Sequence, residues 1–167
     1  GNGNYNPGNG FILDVNGDAL INNVTVGVGS GNVTTNTAVG FAALFENTTI
    51  NAGGFENTAV GYDALTANTD GVDNTAVGFN TLPSNDLGNG NTAIGSNAGN
   101  TLSGISNNNT FLGYSADVSS NTLIYNNSTA VGYNAIIDAS NQIVLGGQNI
   151  TNIVPYPGVY IPGSYVG

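Results

Sequence analysis

The sequence contains no Lys, Arg, His, Cys, Met or Trp. Each absence removes a class of chemistry. Without cations, and at a formal net charge of −10, the chain has nothing with which to neutralise phosphates, which argues against nucleic-acid binding. Attraction to an anionic membrane surface fails for the same reason. The missing His and Cys take away the usual general bases, thiol nucleophiles and zinc or copper ligands. No disulfide can form, so cysteine usage points to no compartment. No apolar run is long enough to span a bilayer, and membrane insertion is not expected. Lacking an initiating Met and a basic leader, the chain reads as a processed or excised piece. Charge of any kind is scarce: ten acidic residues are the only charged ones among 167, where an average domain is roughly 25% charged.

What is present is order. A low-charge chain rich in Asn, Gly, Ser and Thr can be a disordered linker, but here the apolar residues fall at fixed places. One phrase recurs: Asn36-Thr37-Ala38-Val39-Gly40-Phe41, Asn57 to Tyr62, Asn74 to Phe79, Asn91 to Ser96, Asn109 to Tyr114 and Ser128 to Tyr133. Weaker copies end at Gly27 and Gly146. The repeat glycines are Gly40, Gly61, Gly78, Gly95, Gly113 and Gly132, and from Gly27 to Gly146 the spacings are 13, 21, 17, 17, 18, 19 and 14. A fixed phrase with polar spacers of varying length is the pattern of a solenoid, in which each unit is too short to bury its own apolar face and stacked units share one core.

The Thr-x-Val alternation has strand period, so Thr37 and Val39 share one side of a strand and Ala38 and Gly40 the other. Helical spacing is sustained nowhere. The fold expected is therefore all-β, a β-solenoid of seven to eight coils with short strands joined by Asn/Gly turns. The small Ala/Gly side permits close backbone approach. It either fills a narrow solenoid interior or faces a symmetry axis where chains meet, and the second use, in a homotrimer, is the one favoured.

The NTAVG[FY]xAL phrase resembles repeats of bacteriophage tail-fibre and structural proteins, and is similar to the head repeats of trimeric autotransporter adhesins. The resemblance spans residues 23–146. It implies parallel β-rolls, three chains around one axis, an extracellular place on a cell surface or virion, and a role in attachment or as a fibre shaft. It implies no catalytic residues. These spacings are longer and less regular than in adhesin heads, and no stalk or anchor pattern accompanies them. A self-assembling homopolymeric filament is the first alternative; a glycan-binding or glycan-cleaving tailspike segment is the second.

Three regions are expected: a loop and β-hairpin cap over 1–22, the repeat domain over 23–149, and a Pro/Tyr-rich strap or connector over 150–167. The hairpin is placed at Asn16-Gly17, between Phe11–Val15 and Asp18–Ile21. Phe11, Ile12 and Leu13 at one end, and Tyr156 and Tyr160 at the other, are the expected assembly contacts. Partners are then other copies of the chain and a cell-surface glycan.

Few residues carry chemistry. Asp14, Asn16 and Asp18 alternate as the first oxygen ligands of a calcium loop do, but Ala19 and Thr25 stand where the loop needs Gly and an acid. A hairpin turn is favoured, with calcium as the one cofactor candidate. Asp63, Asp70 and Asp73, and Glu46 and Glu56, supply carboxylates of the kind that cleave glycosides in pairs, but nothing marks one coil as special. They read as solvated turns, and no enzymatic activity is expected. The aromatic column Phe41, Tyr62, Phe79, Tyr114 and Tyr133 is expected in the core or between chains, with an exposed, glycan-stacking ladder as the other reading.

Overall fold

The computed structural model describes residues 17–47 and 53–150. These residues are all-β, with no helix among them, and form a parallel β-solenoid of about 6 turns. The principal strands are β1 (Ala19–Ile21), β2 (Val24–Gly27), β3 (Thr37–Gly40), β4 (Thr58–Val60), β5 (Thr75–Val77), β6 (Thr92–Ile94), β7 (Thr110–Leu112), β9 (Thr129–Val131) and β11 (Ile143–Leu145). They make one sheet in chain order, parallel from β3 onward. Thr pairs with Thr and Ala with Ala from β3 to β6, so the recurring phrase sets the register. Two short strands, β8 (Asp117–Val118) and β10 (Ile136–Ile137), form a second parallel pair in the later coils.

One expectation changes at the amino-terminal end. The weak copy ending at Gly27 is not a coil: β2 runs antiparallel to β3, with Thr25 opposite Gly40. This is one reason the coils number about six and not seven or eight. A hairpin lies at Asn22-Asn23, between β1 and β2; the first strand of the one expected at Asn16-Gly17, Phe11–Val15, lies outside the described residues. Both Asn residues have positive φ, 49° and 65°, the backbone that a tight hairpin turn needs and that Asn tolerates. The boundary expected after residue 22 therefore falls within a hairpin. Phe11–Leu13, Asp14 and Asn16 lie outside the described residues, as do Tyr156, Tyr160 and the strap beyond Ile150.

The Ala side of the strands faces inward. Ala38, Ala59, Ala76, Ala93 and Ala130 are fully buried within one chain, together with Ala64, Leu65, Leu82 and Leu102. This answers the choice left by the sequence: the small residues fill a narrow interior and do not line a symmetry axis. Phe111 occupies an Ala position in β7 and is also fully buried. Gly99 makes room for it, since a Cβ there would lie 3.1 Å from Phe111 Cδ2 and 2.6 Å from Leu82 Cδ2.

At the end of each strand the chain bends through the repeat glycine. Gly78 has φ 138°, and a Cβ on it would stand 2.8 Å from the Gly95 carbonyl oxygen of the next coil. Two further corners use the left-handed region. The residue after the aromatic, or after Ser96 in its place, has φ from 51° to 57° at Asp63, Asn80, Asn97, Ser115 and Asn134. Two residues later Leu44, Leu65 and Leu82 have φ of 50°, 50° and 46°. Leu there meets the steric penalty of about 1–2 kcal/mol for an L-residue in this region, offset by its burial.

What joins coil to coil most tightly is Asn. Asn36, Asn57, Asn74, Asn91 and Asn109, just before the strands, are buried. Each side-chain oxygen accepts the backbone N–H of its counterpart one coil on: Asn57 N–H to Asn36 Oδ1 at 2.8 Å, then 2.9 Å at Asn74, Asn91 and Asn109. Each amide donates to a turn carbonyl, as Asn74 Nδ2 does to Gly88 O at 2.8 Å. Ser128 closes the row, accepting Gln142 N–H at 3.1 Å. Asn47, Asn68 and Asn85 form a second buried row, and Asn85 Nδ2 also reaches Gly88 O, at 3.0 Å.

Asn74→Ala is expected to lose about 2–3 kcal/mol of stability, because it leaves the buried Asn91 N–H without its acceptor and Gly88 O short of a donor. Thr75→Ala, one residue on, should stay within about 0.5 kcal/mol. Urea unfolding of the two variants checks the contrast. A second expectation concerns Gly78→Ala, which combines a positive φ with a backbone collision and should destabilise by at least about 1–3 kcal/mol.

Candidate functional site

The sheet has an inner and an outer surface, and only the outer is available for binding. Thr and Val, Ile or Leu alternate with the buried Ala, so the outer surface carries Thr37, Val39, Thr58, Val60, Thr75, Val77, Thr92, Ile94, Thr110 and Leu112. None of the ten acidic residues lies in these strands or in β9 and β11. A chain whose only charges are negative thus presents one uncharged, partly apolar face.

Along the border of that face runs the aromatic column. The rings are not core: Phe41, Tyr62, Phe79, Tyr114 and Tyr133 are 47% to 65% exposed. They stack on one another, Phe41 on Tyr62 at 5.2 Å between centroids and Tyr62 on Phe79 at 5.3 Å, with Tyr114 on Tyr133 at 5.8 Å. The reason is geometric. The corner after each glycine turns the next side chain outward, while parallel registration places successive rings one coil apart. Exposure on one chain removes the core reading and is common to a contact between chains and to an exposed ladder.

Among the described residues no group of three or more His, Cys, Asp or Glu is placed to hold a metal ion. Asp18, the one member of the calcium candidate that is described, accepts Val28 N–H at 2.6 Å and Gly29 N–H at 3.0 Å, which makes it a turn cap beside the hairpin. Glu56, Asp63 and Asp73 stand at left-handed corners, with φ 61°, 52° and 59°. Asp86 accepts the Thr69 hydroxyl, and its backbone oxygen receives the N–H groups of Thr69, Asp70 and Gly71.

One acid is buried. Asp117, in β8, accepts Thr101 N–H on both carboxylate oxygens, at 3.0 and 2.9 Å, and Val118 N–H at 2.8 Å. Burial raises its pKa above the ordinary Asp value, and the hydrogen bonds that stabilise the carboxylate oppose the shift only in part. Nothing in the sequence marked this residue; the signal available was an acid flanked by Ala116 and Val118 inside a repeat. The buried Asn rows were also missed as joints, although Asn opens nearly every copy of the phrase.

Comparison with protein-family models, curated proteins and solved structures returned no match.

Asp117 has a consequence for pH. A carboxyl whose folded pKa is raised holds its proton better in the folded state, so its contribution to stability is full below the unfolded value. It is lost as pH rises through the folded value. Asp117→Asn should therefore remove a decline in stability seen in the parent between the ordinary Asp range and its raised pKa. Melting temperatures of the two proteins across mildly acidic pH check the difference.

Proposed function

We propose that the chain is a non-catalytic structural segment, a shaft or head, of an extracellular attachment fibre assembled from copies of itself. The observation that carries this reading is the uncharged outer face. A chain with ten acids and no cations repels its own copies wherever acids meet. The strand face runs the length of the described solenoid, is partly apolar and carries no acid. A repeated face of this kind is also an aggregation liability on a lone monomer. Three copies meeting on it form a closed assembly, consistent with the trimeric fibres that the repeat resembles. The contact then rests on the Thr/Val face, with the Ala side kept for the core.

A second reading has its own observation. The last strand, β11, has Ile143 76% and Leu145 47% exposed, and among the described residues nothing pairs with its outer edge. Such an edge is a template for another strand. If it takes the first strands of the next copy, the contact does not close and a filament grows.

Val77→Asp, alone or with Ile94→Asp, is expected to convert the assembly to monomer with unchanged circular dichroism, read by sedimentation velocity. The parent assembly should persist from about 0.05 to 1 M salt, since no ion pair supports it. Discrete rods by negative stain support the closed form and indefinite fibres the open one. A monodisperse monomer at high concentration would refute both.

A further inference from the structure

The aromatic ladder is broken once, in the middle of the solenoid. Ser96 stands in register between Phe79 and Tyr114: Asn97 N–H donates to Phe79 O at 2.9 Å and Ser115 N–H to Ser96 O at 3.0 Å. On one side of the break Tyr62 and Phe79 stack, and on the other Tyr114 and Tyr133. One face of Phe79 and one face of Tyr114 are therefore turned toward a missing ring. The row advances one coil at a time, so the two facing rings stand about 10 Å apart, twice the ~4.8 Å spacing of strands. A six-membered ring midway would lie about 5 Å from each, within the stacking range of ring centroids.

Asn80, Asn97 and Ser115 follow the aromatic column at the adjoining corner. Asn97 accepts the Asn80 amide on its Oδ1 at 3.2 Å, and its own amide N–H groups meet no acceptor among the described residues. Two apolar walls and a hydrogen-bonding rim suit a ring with C–H faces and a hydroxyl edge. The absence of any Lys, Arg or His leaves nothing to pair with an acidic ligand. The slot therefore selects an uncharged one.

We propose that the break at Ser96 is a binding slot for one pyranose ring of a neutral glycan, held between Phe79 and Tyr114 and hydrogen-bonded by Asn97. This deepens the attachment reading by giving the fibre a ligand class, but it is measured as binding and does not depend on whether copies assemble.

Isothermal titration of the full chain with neutral hexasaccharides (cellohexaose, laminarihexaose, maltohexaose, mannohexaose and chitohexaose), alongside an acidic hexagalacturonate, tests it. At least one neutral sugar should bind and the acidic one should not. Ser96→Tyr restores the ring that neighbouring coils carry, so it should fold as the parent does and weaken binding by at least about tenfold. Tyr114→Ala, which removes a wall, should do the same. Ser96→Ala, which keeps the opening, should stay within about threefold of the parent. The proposal is overturned if no neutral sugar binds at millimolar concentration, or if Ser96→Tyr binds as the parent does. It is also overturned if Ser96→Tyr alters the sedimentation of the protein while sugar binding is absent, since the gap then receives a side chain of a second copy. Sedimentation of the parent reports separately on self-assembly.

Discussion

The side-chain amide of Asn, buried and bonded to the backbone of the next coil, is the interaction on which the rest depends. A solenoid stacked without Lys or Arg has no ion pairs to fix one coil over another. Backbone ladders alone allow a strand to slip, because every residue offers the same donor and acceptor. The Asn rows remove that freedom. Asn91 spends its oxygen on Asn109 N–H and its amide on Ser106 O and Asn85 Oδ1. A shift by one residue would leave these groups buried and unpaired, at a cost of about 1–3 kcal/mol each. No described buried side-chain polar atom lacks a partner, so register is specified by polar satisfaction as well as by Ala packing.

The second constraint is the narrow interior. With Ala in most inward strand positions, the coil walls lie close together and one large side chain needs an opposite vacancy. Phe111 and Gly99 are such a pair. Farther along, β8 and β10 replace the left-handed Leu corner, and Tyr125 enters the core with its hydroxyl 3.0 Å from Ser119 Oγ. The later coils thus fill the same interior with larger groups. Coil lengths differ, yet the strands stay aligned, because the extra residues are accommodated in turns away from the sheet.

Much of this was legible in the sequence. The recurring phrase contains its own register, and Thr-Ala-Val-Gly reads as a strand with one small side. Which side faced inward was not legible, because Ala and Gly suit a narrow core and a crowded symmetry axis equally well. The copy ending at Gly27 has the same alternation as a true coil, and alternation does not encode strand direction; only its pairing with β3 shows that it runs backward. The hairpin at Asn22-Asn23 was not legible, because those residues sat between apolar residues already assigned to a strand and a repeat. The aromatic column looked like core because aromatic burial is the usual outcome. Here the glycine before each ring turns the chain outward, so the ring leaves the interior.

The same corner separates two jobs along one coil. From the buried Asn or Ser to the glycine, the units from Asn36 to Gly132 have the same length and the same alternation of inward and outward residues, and together these segments make a continuous uncharged face. From the aromatic to the next Asn, each unit varies in length and carries the acids. Changes in the second part leave the ladder, the Ala core and the outer face where they are. The acids and the uncharged face can therefore occupy one short repeat, because the glycine corner and the buried Asn keep them on different sides of it. The aromatic ladder lies at the boundary between the two. A ring omitted there, as at Ser96, opens a gap that disturbs neither the core nor the stacking of coils.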